Sequence, residues 1–456
     1  MSKQTGLSDQ KMWPTVRGIA PGAREMGPAA REIRPLAGRL PAGAAFALQV
    51  SIVVFFLASS AAPTPLYALY QARWGFSPIT TTVVFGIYAV AVLAALLTVG
   101  SLSDHVGRRP VLLAALAGQA SAMVVFATAA GVPELMAARV IQGLATGAAA
   151  GAVGAGLLDL HRTRGTLANA VAPITGTATG SLGAGLLVQY LPDPSRLVYL
   201  ILLVIFAVQA VGVLLMAESS PKRTGALASL RPAFSLPAAV RGPLLRSVPA
   251  LIALWSLGGL YASLGPALVV QITGQHSFVL GGLSVAVLAG TGAAAVLLLR
   301  SAPPAAVLLT ACIALVAGVG ITLVAVQLSS ATVFFAGTVV AGAGFGAGFQ
   351  GVVRSVLPHA PAHQRSGVLS LIWVVSYLAL GLPAVLAGVL VVHGGGIGGT
   401  AREYGSAVML LAALALAGLV RGRRSQQSLV AGRLSSGPER AASTVPDYYQ
   451  VLEHCG

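Results

Sequence analysis

The 456 residues are 56% hydrophobic and 9% charged, with a mean hydropathy of +0.84, which excludes a soluble chain and leaves no room for a soluble catalytic domain. The formal charge of +16 raises nucleic acid as a partner, but the basic residues stand singly or in pairs in loops and tails, and that reading is set aside. Two cysteines, Cys312 inside an apolar run and Cys455 near the end, imply no disulfide or metal framework, and no metal or cofactor is expected.

Residues 1–43 are polar and basic and are predicted to be disordered. Twelve apolar runs follow, at 44–70, 79–101, 110–130, 133–158, 167–191, 196–217, 248–272, 278–299, 303–326, 331–353, 366–392 and 403–420. Each is long enough to cross roughly 30 Å of hydrocarbon as a helix. The fold class is therefore an all-α membrane protein of twelve transmembrane helices. The first run follows a basic leader, as a signal peptide would, yet its length and the spans behind it argue for a retained helix. Gln49, Ser59, Ser60 and Thr64 in span 1 are candidates for substrate contact, with packing as their alternative role. Pro63 and Pro65 predict a break in this span, and Tyr67 and Tyr70 an aromatic belt beyond it.

Between spans 2 and 3 stands "GSLSDHVGRRPVLL", Gly100 to Leu113, the densest charge in this part of the chain. Gly100 removes a side chain where helices approach, Gly107 permits a sharp turn, and Asp104 can accept hydrogen bonds from a helix N-terminus or pair with an arginine. Span 4 carries Arg139 about 9 Å inside the apolar run, where an arginine costs roughly 2.5–3.5 kcal/mol unless it faces a polar cavity or snorkels. Gln142, Gly143, Thr146 and Gly147 share its helical face and with it predict a translocation path; neutralisation by Glu134 is the alternative.

The segment 218–247, with its prolines and five basic residues, is a predicted linker that splits the spans six and six, giving bundles at 44–217 and 248–420. Trp255, Tyr261 and Gln271 in span 7 and Trp373, Ser376 and Tyr377 in span 11 are further candidates for substrate contact, again with packing or anchoring as the alternative. "GAGFQG", Gly346 to Gly351, has the spacing of a dinucleotide site but lies in an apolar span with no preceding strand, so it is assigned to helix packing. Residues 421–456 are a predicted disordered tail.

Alternate loops place both tails on the side that holds 24 of the 28 basic residues, so both termini are expected in the cytoplasm. Three lysines against twenty-five arginines, with one asparagine, suggest a GC-rich bacterial genome and hence the bacterial inner membrane. Glycines at four-residue spacing, Gly143, Gly147 and Gly151 in span 4 and Gly342 and Gly346 in span 10, indicate two related six-helix units.

Gly100, Leu102, Asp104, Gly107, Arg108 and Arg109 resemble the loop signature of the major facilitator superfamily, with His105 in place of its usual arginine. "RVIQGLATG" resembles the superfamily's basic motif in span 4 through Arg139, Gln142, Gly143 and Gly147. With the twelve spans, the resemblance covers about residues 44–420. It implies two six-helix bundles, a gating latch in the loop, and an ion pair between Arg108 and Asp159.

No carboxylate lies at the middle of a span, so proton coupling, if protons are a partner, falls to Asp104, Glu134, Asp159 or a histidine near the membrane ends. A lone embedded arginine favours neutral or anionic cargo. Together these features predict no enzyme but a secondary transporter of a small organic solute by alternating access, with efflux preferred. The alternatives are an uptake symporter or facilitator for a sugar or organic acid, and a membrane sensor that does not transport.

Overall fold

An apolar chain in lipid must satisfy every backbone donor and acceptor internally, and helices do so within a single run. The computed structural model describes residues 40–435, and the expected disorder of 1–39 and 436–456 concerns positions outside the described residues. The first six spans comprise α1 (Ala42–Ala61) with α2 (Pro63–Trp74), α3 (Pro78–Thr98), α5 (Arg108–Thr128), α6 (Val132–Leu160), α7 (Arg162–Tyr190) and α8 (Pro194–Leu215). A single turn, α4 (Ser103–Val106), sits in the loop before α5. The second six are α9 (Ala238–Thr273), α10 (Phe278–Leu298), α11 (Pro304–Leu328), α12 (Ala331–Val356), α13 (Arg365–His393) and α14 (Gly396–Ser435). All twelve are long and apolar enough to cross a membrane.

Local chemistry sets several ends. Proline opens α3, α6, α8 and α11, where its missing N–H costs nothing. Ser277 and Ser330 accept hydrogen bonds from Leu280 and Val333 and so cap α10 and α12.

Three expectations need correction. The predicted linker 218–247 ends early, because α9 already begins at Ala238 and carries Pro243 and Pro249 inside it. The tail predicted to be disordered from Arg421 starts as helix: α14 runs on to Ser435, since Arg, Gln, Leu and Ala continue a helix well after the apolar window has closed. The aromatic belt after Pro63 and Pro65 is absent. The chain stays helical through Ala62, and Tyr67 and Tyr70 are buried; the Tyr70 hydroxyl lies 3.0 Å from that of Tyr199.

Each half has its own core. One apolar cluster runs through α1–α8 around Phe56, Leu112, Phe126, Leu135 and Phe206. Another joins α9–α14 around Leu257, Tyr261, Leu315 and Phe334. The halves meet along α7 with α10 and α3 with α13, where Phe85, Ala89, Leu380 and Ala384 form a small cluster of their own.

Candidate functional site

One end of the helix bundle gathers the arginine-bearing loops. Gly107 adopts φ of 101°, which favours glycine, and a side chain there would meet Glu218 Oε2 at 2.6 Å. The start of α5 has no cap from its own loop. The Glu218 carboxylate, 110 residues away in sequence, accepts from the backbone N–H of Arg108 at 2.7 Å and of Arg109 at 3.0 Å. An anion at a helix N-terminus meets free donors and the positive end of the dipole together. The Arg108 side chain, 8% exposed, donates to Asp104 at 2.5 Å, to Ser103 at 2.7 Å and to Asp159 at 3.3 Å. The chain after α8 is stitched to the same loop, with Arg223 N donating to His105 O at 2.8 Å and the Ser101 hydroxyl to Ser229 O at 2.9 Å. It also reaches the second half, where the Ser235 hydroxyl donates to Gln364 at 3.0 Å.

Deeper in the first half, Arg139 is completely buried. Its guanidinium donates to Ser60 O at 2.9 Å, Gln142 Oε1 at 2.7 Å and the Tyr67 hydroxyl at 2.5 Å. The rings of Tyr67, Tyr88 and Phe126 lie 5.7, 5.3 and 5.8 Å from its central carbon. Among the described residues no carboxylate pairs with it, and Glu134 lies exposed. Neutral acceptors and π faces hold this charge instead. Gln142 Nε2 extends the network to Ser59 O at 3.1 Å, and Gln119 donates to the Ser59 hydroxyl.

Between the halves lies a cavity of about 560 Å³. Its lining begins near mid-bundle at Thr64, Phe85 and Ala262. It reaches Leu96, Leu158 and Leu369, close to the ends of α3 and α6 and the start of α13, so it opens at the end bearing the arginine loops. The opposite end is closed. There Gly185 sits so near α10 that a Cβ would meet Phe278 O at 2.6 Å, and Gly282 approaches Ser181 O closer still. Three side chains bond across this seam: Thr64 to Ala262 O at 2.9 Å, Ser181 to Gly282 O at 3.0 Å, and Gln189 Oε1 accepting from Ser277 at 2.9 Å.

The structure separates the residues singled out in the sequence. Of the proposed path on α6, only Thr146 lines the cavity. Arg139 and Gln142 lie behind α1, whose Ser59 and Ser60 carbonyls they bind. Gly143 and Gly147 face α3, where a Cβ would meet Ala91 at 2.6 Å and Val92 O at 2.5 Å. Apart from Thr146, the polar stripe faces α1 and α3 within the first half. Of the candidate contacts, Ser60, Thr64, Trp255, Trp373 and Tyr377 line the cavity. Gln49 instead donates to Met216 Sδ at 3.4 Å, Ser59 belongs to the Arg139 network, Tyr261 shares a hydrogen bond with Thr338 at 2.9 Å, and Ser376 bonds Ile372 O at 2.8 Å. Gln271 lies on α9 outside the lining. "GAGFQG" packs α12 tightly against Gly292 of α10.

Sequence reasoning missed Phe345, Asn169 and Thr177 in the lining and Glu218 at the loop. Asn169 was findable, being the one asparagine in the chain. Glu218 was not, since nothing local marks a cap so distant in sequence.

The sequence profile of the Major Facilitator Superfamily matches residues 49–384. No curated protein sequence matches the chain. Among solved structures, the xylose transporter XylE from E. coli, in a partially occluded inward open conformation, is similar at a TM-score of 0.61 and 14% identity, over 81% of this chain and 97% of that one. The human organic anion transporter MFSD10 (TETRAN) is similar at 0.58 and 19% identity, over 82% of this chain and all of that one.

Proposed function

Because this chain belongs to the Major Facilitator Superfamily, a family of membrane transporters, we propose that it carries a small organic solute by alternating access, with net efflux from a bacterial cell across the inner membrane. The cavity between the halves carries this reading. It has the volume of a small-molecule site, is sealed at one end and opens at the other. On the positive-inside rule the open end is cytoplasmic, the state in which an exporter would load. The same rule puts both termini on that side.

The bonds of Arg108 with Asp104 and Asp159 then belong to the gate of the cytoplasmic face, and Glu218 fastens the inter-half chain to it. Residues 216–237 are the linker across which the halves rock. No carboxylate lines the cavity among the described residues, so any coupling proton falls to Asp104, Glu134, Asp159 or a histidine near the membrane ends.

The xylose carrier among the structural neighbours raises uptake of a sugar as the second reading. The cavity counts against it, since a sugar demands many hydrogen bonds and this lining is mostly apolar.

Proteoliposomes of both orientations, loaded with solute panels under an imposed pH gradient, test the proposal. Flux driven from the arginine-loop side outward supports efflux, flux in the reverse direction installs uptake, and no flux in either orientation overturns transport.

A further inference from the structure

The two walls of the cavity differ in chemistry, and together they specify a ligand. From the second half come the rings of Trp255, Phe345, Trp373 and Tyr377, with aliphatic side chains between them and no aliphatic hydroxyl or amide. The rings touch one another: Trp255 to Phe345 at 6.2 Å, Trp255 to Tyr377 at 5.7 Å, Trp373 to Tyr377 at 5.8 Å. They form one continuous aromatic wall.

The facing wall, from the first half, carries Ser60, Thr64, Thr146, Asn169 and Thr177, with the separate rings of Phe56, Phe85 and Tyr88 among them. Its four aliphatic hydroxyls each donate to a main-chain carbonyl, of Phe56, Ala262, Gln142 and Pro173, at 2.9, 2.9, 2.8 and 3.1 Å, and the Tyr88 hydroxyl, 2.7 Å from that of Ser60, then donates to Ser60. Asn169 donates to Gly154 O at 2.9 Å. This wall is left with oxygens that accept. The spare donor stands opposite, on the aromatic wall: the Tyr377 hydroxyl has no hydrogen-bond partner among the described residues, whereas the unpartnered Trp255 indole N–H is sealed away from the cavity.

Charge narrows the choice further. Among the described residues no Asp, Glu, Lys, Arg or His lines the cavity. A cation would gain from the rings, yet it finds no carboxylate and feels Arg139 at 5.3 Å behind the Tyr88 ring. An anion finds no accessible cation, because Ser60, Tyr67 and Gln142 already occupy that arginine. Leaving water without a partner charge is costly for either.

We infer that this cavity binds an uncharged, flat aromatic solute, stacked on Trp373 and its neighbouring rings, with an acceptor toward Tyr377 and a donor toward the hydroxyl wall. As a statement about cargo, this rests on the transport role proposed above; as a statement about binding, it stands separately.

Three congeners of one size test it at neutral pH: 1-naphthol, 1-naphthoate and 1-naphthylmethylammonium, titrated calorimetrically into the full chain in lipid nanodiscs with empty discs subtracted. Saturable binding of 1-naphthol, about tenfold or more tighter than either ion, is the expected result. Tyr377→Phe should weaken it by about 2- to 10-fold, and Trp373→Leu by at least about fivefold, with unfolding midpoints confirming that both variants fold. The more conservative Tyr377→Phe decides if Trp373→Leu does not fold. An ion that binds as tightly as 1-naphthol, no saturable binding at all, or unchanged affinity in the folded variants overturns the inference.

Spin-label distances across the two faces keep this distinct from the transport reading. Naphthol binding with no exchange between the faces would leave the ligand chemistry standing and remove alternating access; exchange driven by a charged congener alone would do the reverse.

Discussion

The two halves share a helix plan but divide the chemistry. Among the described residues, the buried charges lie in the first half, as Arg139 within α6 and Arg108 at the start of α5, and with them come the buried glutamines Gln49, Gln119, Gln142 and Gln209. The second half buries serines, threonines and tyrosines but no charge, and offers the cavity its aromatic wall. Equivalent loops differ likewise. The loop before α5 is held by carboxylates, whereas the loop before α11 is held by Arg354 donating to the carbonyls of Ala302 at 2.8 Å and Leu299 at 3.5 Å. On the reading proposed above, the first half gates and lends the cavity its hydroxyl wall, while the second supplies the continuous aromatic one.

The sharpest way to break this contrast is Arg139→Ala. It strips partners from the Ser60 carbonyl, Gln142 and Tyr67 at once, all buried, and a buried orphan costs about 1–3 kcal/mol each. We expect a loss of about 3 kcal/mol or more in stability, seen as a lower unfolding midpoint in nanodiscs, together with loss of flux. Arg139→Lys keeps the charge but not the planar fork, and should fall between. A midpoint unchanged in Arg139→Ala would mean that the network contributes nothing to holding the first half together.

How much of this was legible in the sequence follows from the same residue. Hydropathy alone marked twelve spans and their alternation, because lipid imposes that constraint on each helix separately. It also marked Arg139 as costly, while the family resemblance, not hydropathy, implied the pairing of Arg108 with Asp159, which lie 3.3 Å apart. Hydropathy cannot tell how far along one helix face the solvent-filled space extends. Arg139 and Thr146 lie seven residues apart on α6, yet one is sealed behind α1 and the other lines the cavity. That distinction belongs to tertiary packing. Of the aromatic candidates, Trp255, Trp373 and Tyr377 line the cavity, whereas Tyr261 is turned into the second core against Thr338.

Where the halves meet, Gly282→Val should produce the next largest effect. Its Cβ would run into Ser181 O, on a seam already held by backbone contact. Overpacking costs about 1–3 kcal/mol, and only the state closed at this end bears that cost. The balance should shift by about 5- to 150-fold toward opening there. Labelling of a cysteine placed at Thr177, which lines the cavity, would fall on the arginine-loop side and rise on the other. If labelling instead stayed the same from both sides, the seam would not be what closes the cavity.

Asp104→Asn probes the gate with less disturbance. Asp104 is 52% exposed, so its bond to Arg108 contributes about 1 kcal/mol or less to stability, and the midpoint should scarcely move. Flux should nonetheless fall by up to about fivefold if the bond is weaker in the other access state, because a difference of about 1 kcal/mol between the two states shifts their ratio by about that much. Glu218→Gln, which turns one of the two accepting oxygens of the α5 cap into an NH2 donor and removes the carboxylate charge, should lower flux as well. Full flux in both variants would assign these carboxylates to orientation in the membrane alone.

The smallest effect is expected in the second half, from Arg354→Ala. Arg354 is half-buried and donates only to main-chain carbonyls at a loop end, one of them at 3.5 Å, the limit of a hydrogen bond. Those carbonyls lie at the membrane boundary, where water can replace the guanidinium, so the loss should stay within about 1 kcal/mol. No ion pair breaks, and no carboxylate is left without its partner. Flux and unfolding midpoint should therefore match those of the parent, in contrast to Arg108→Ala, which frees Asp104 and Asp159 together. Equal damage from the two arginine variants would place gating chemistry in both halves and erase the division of labour.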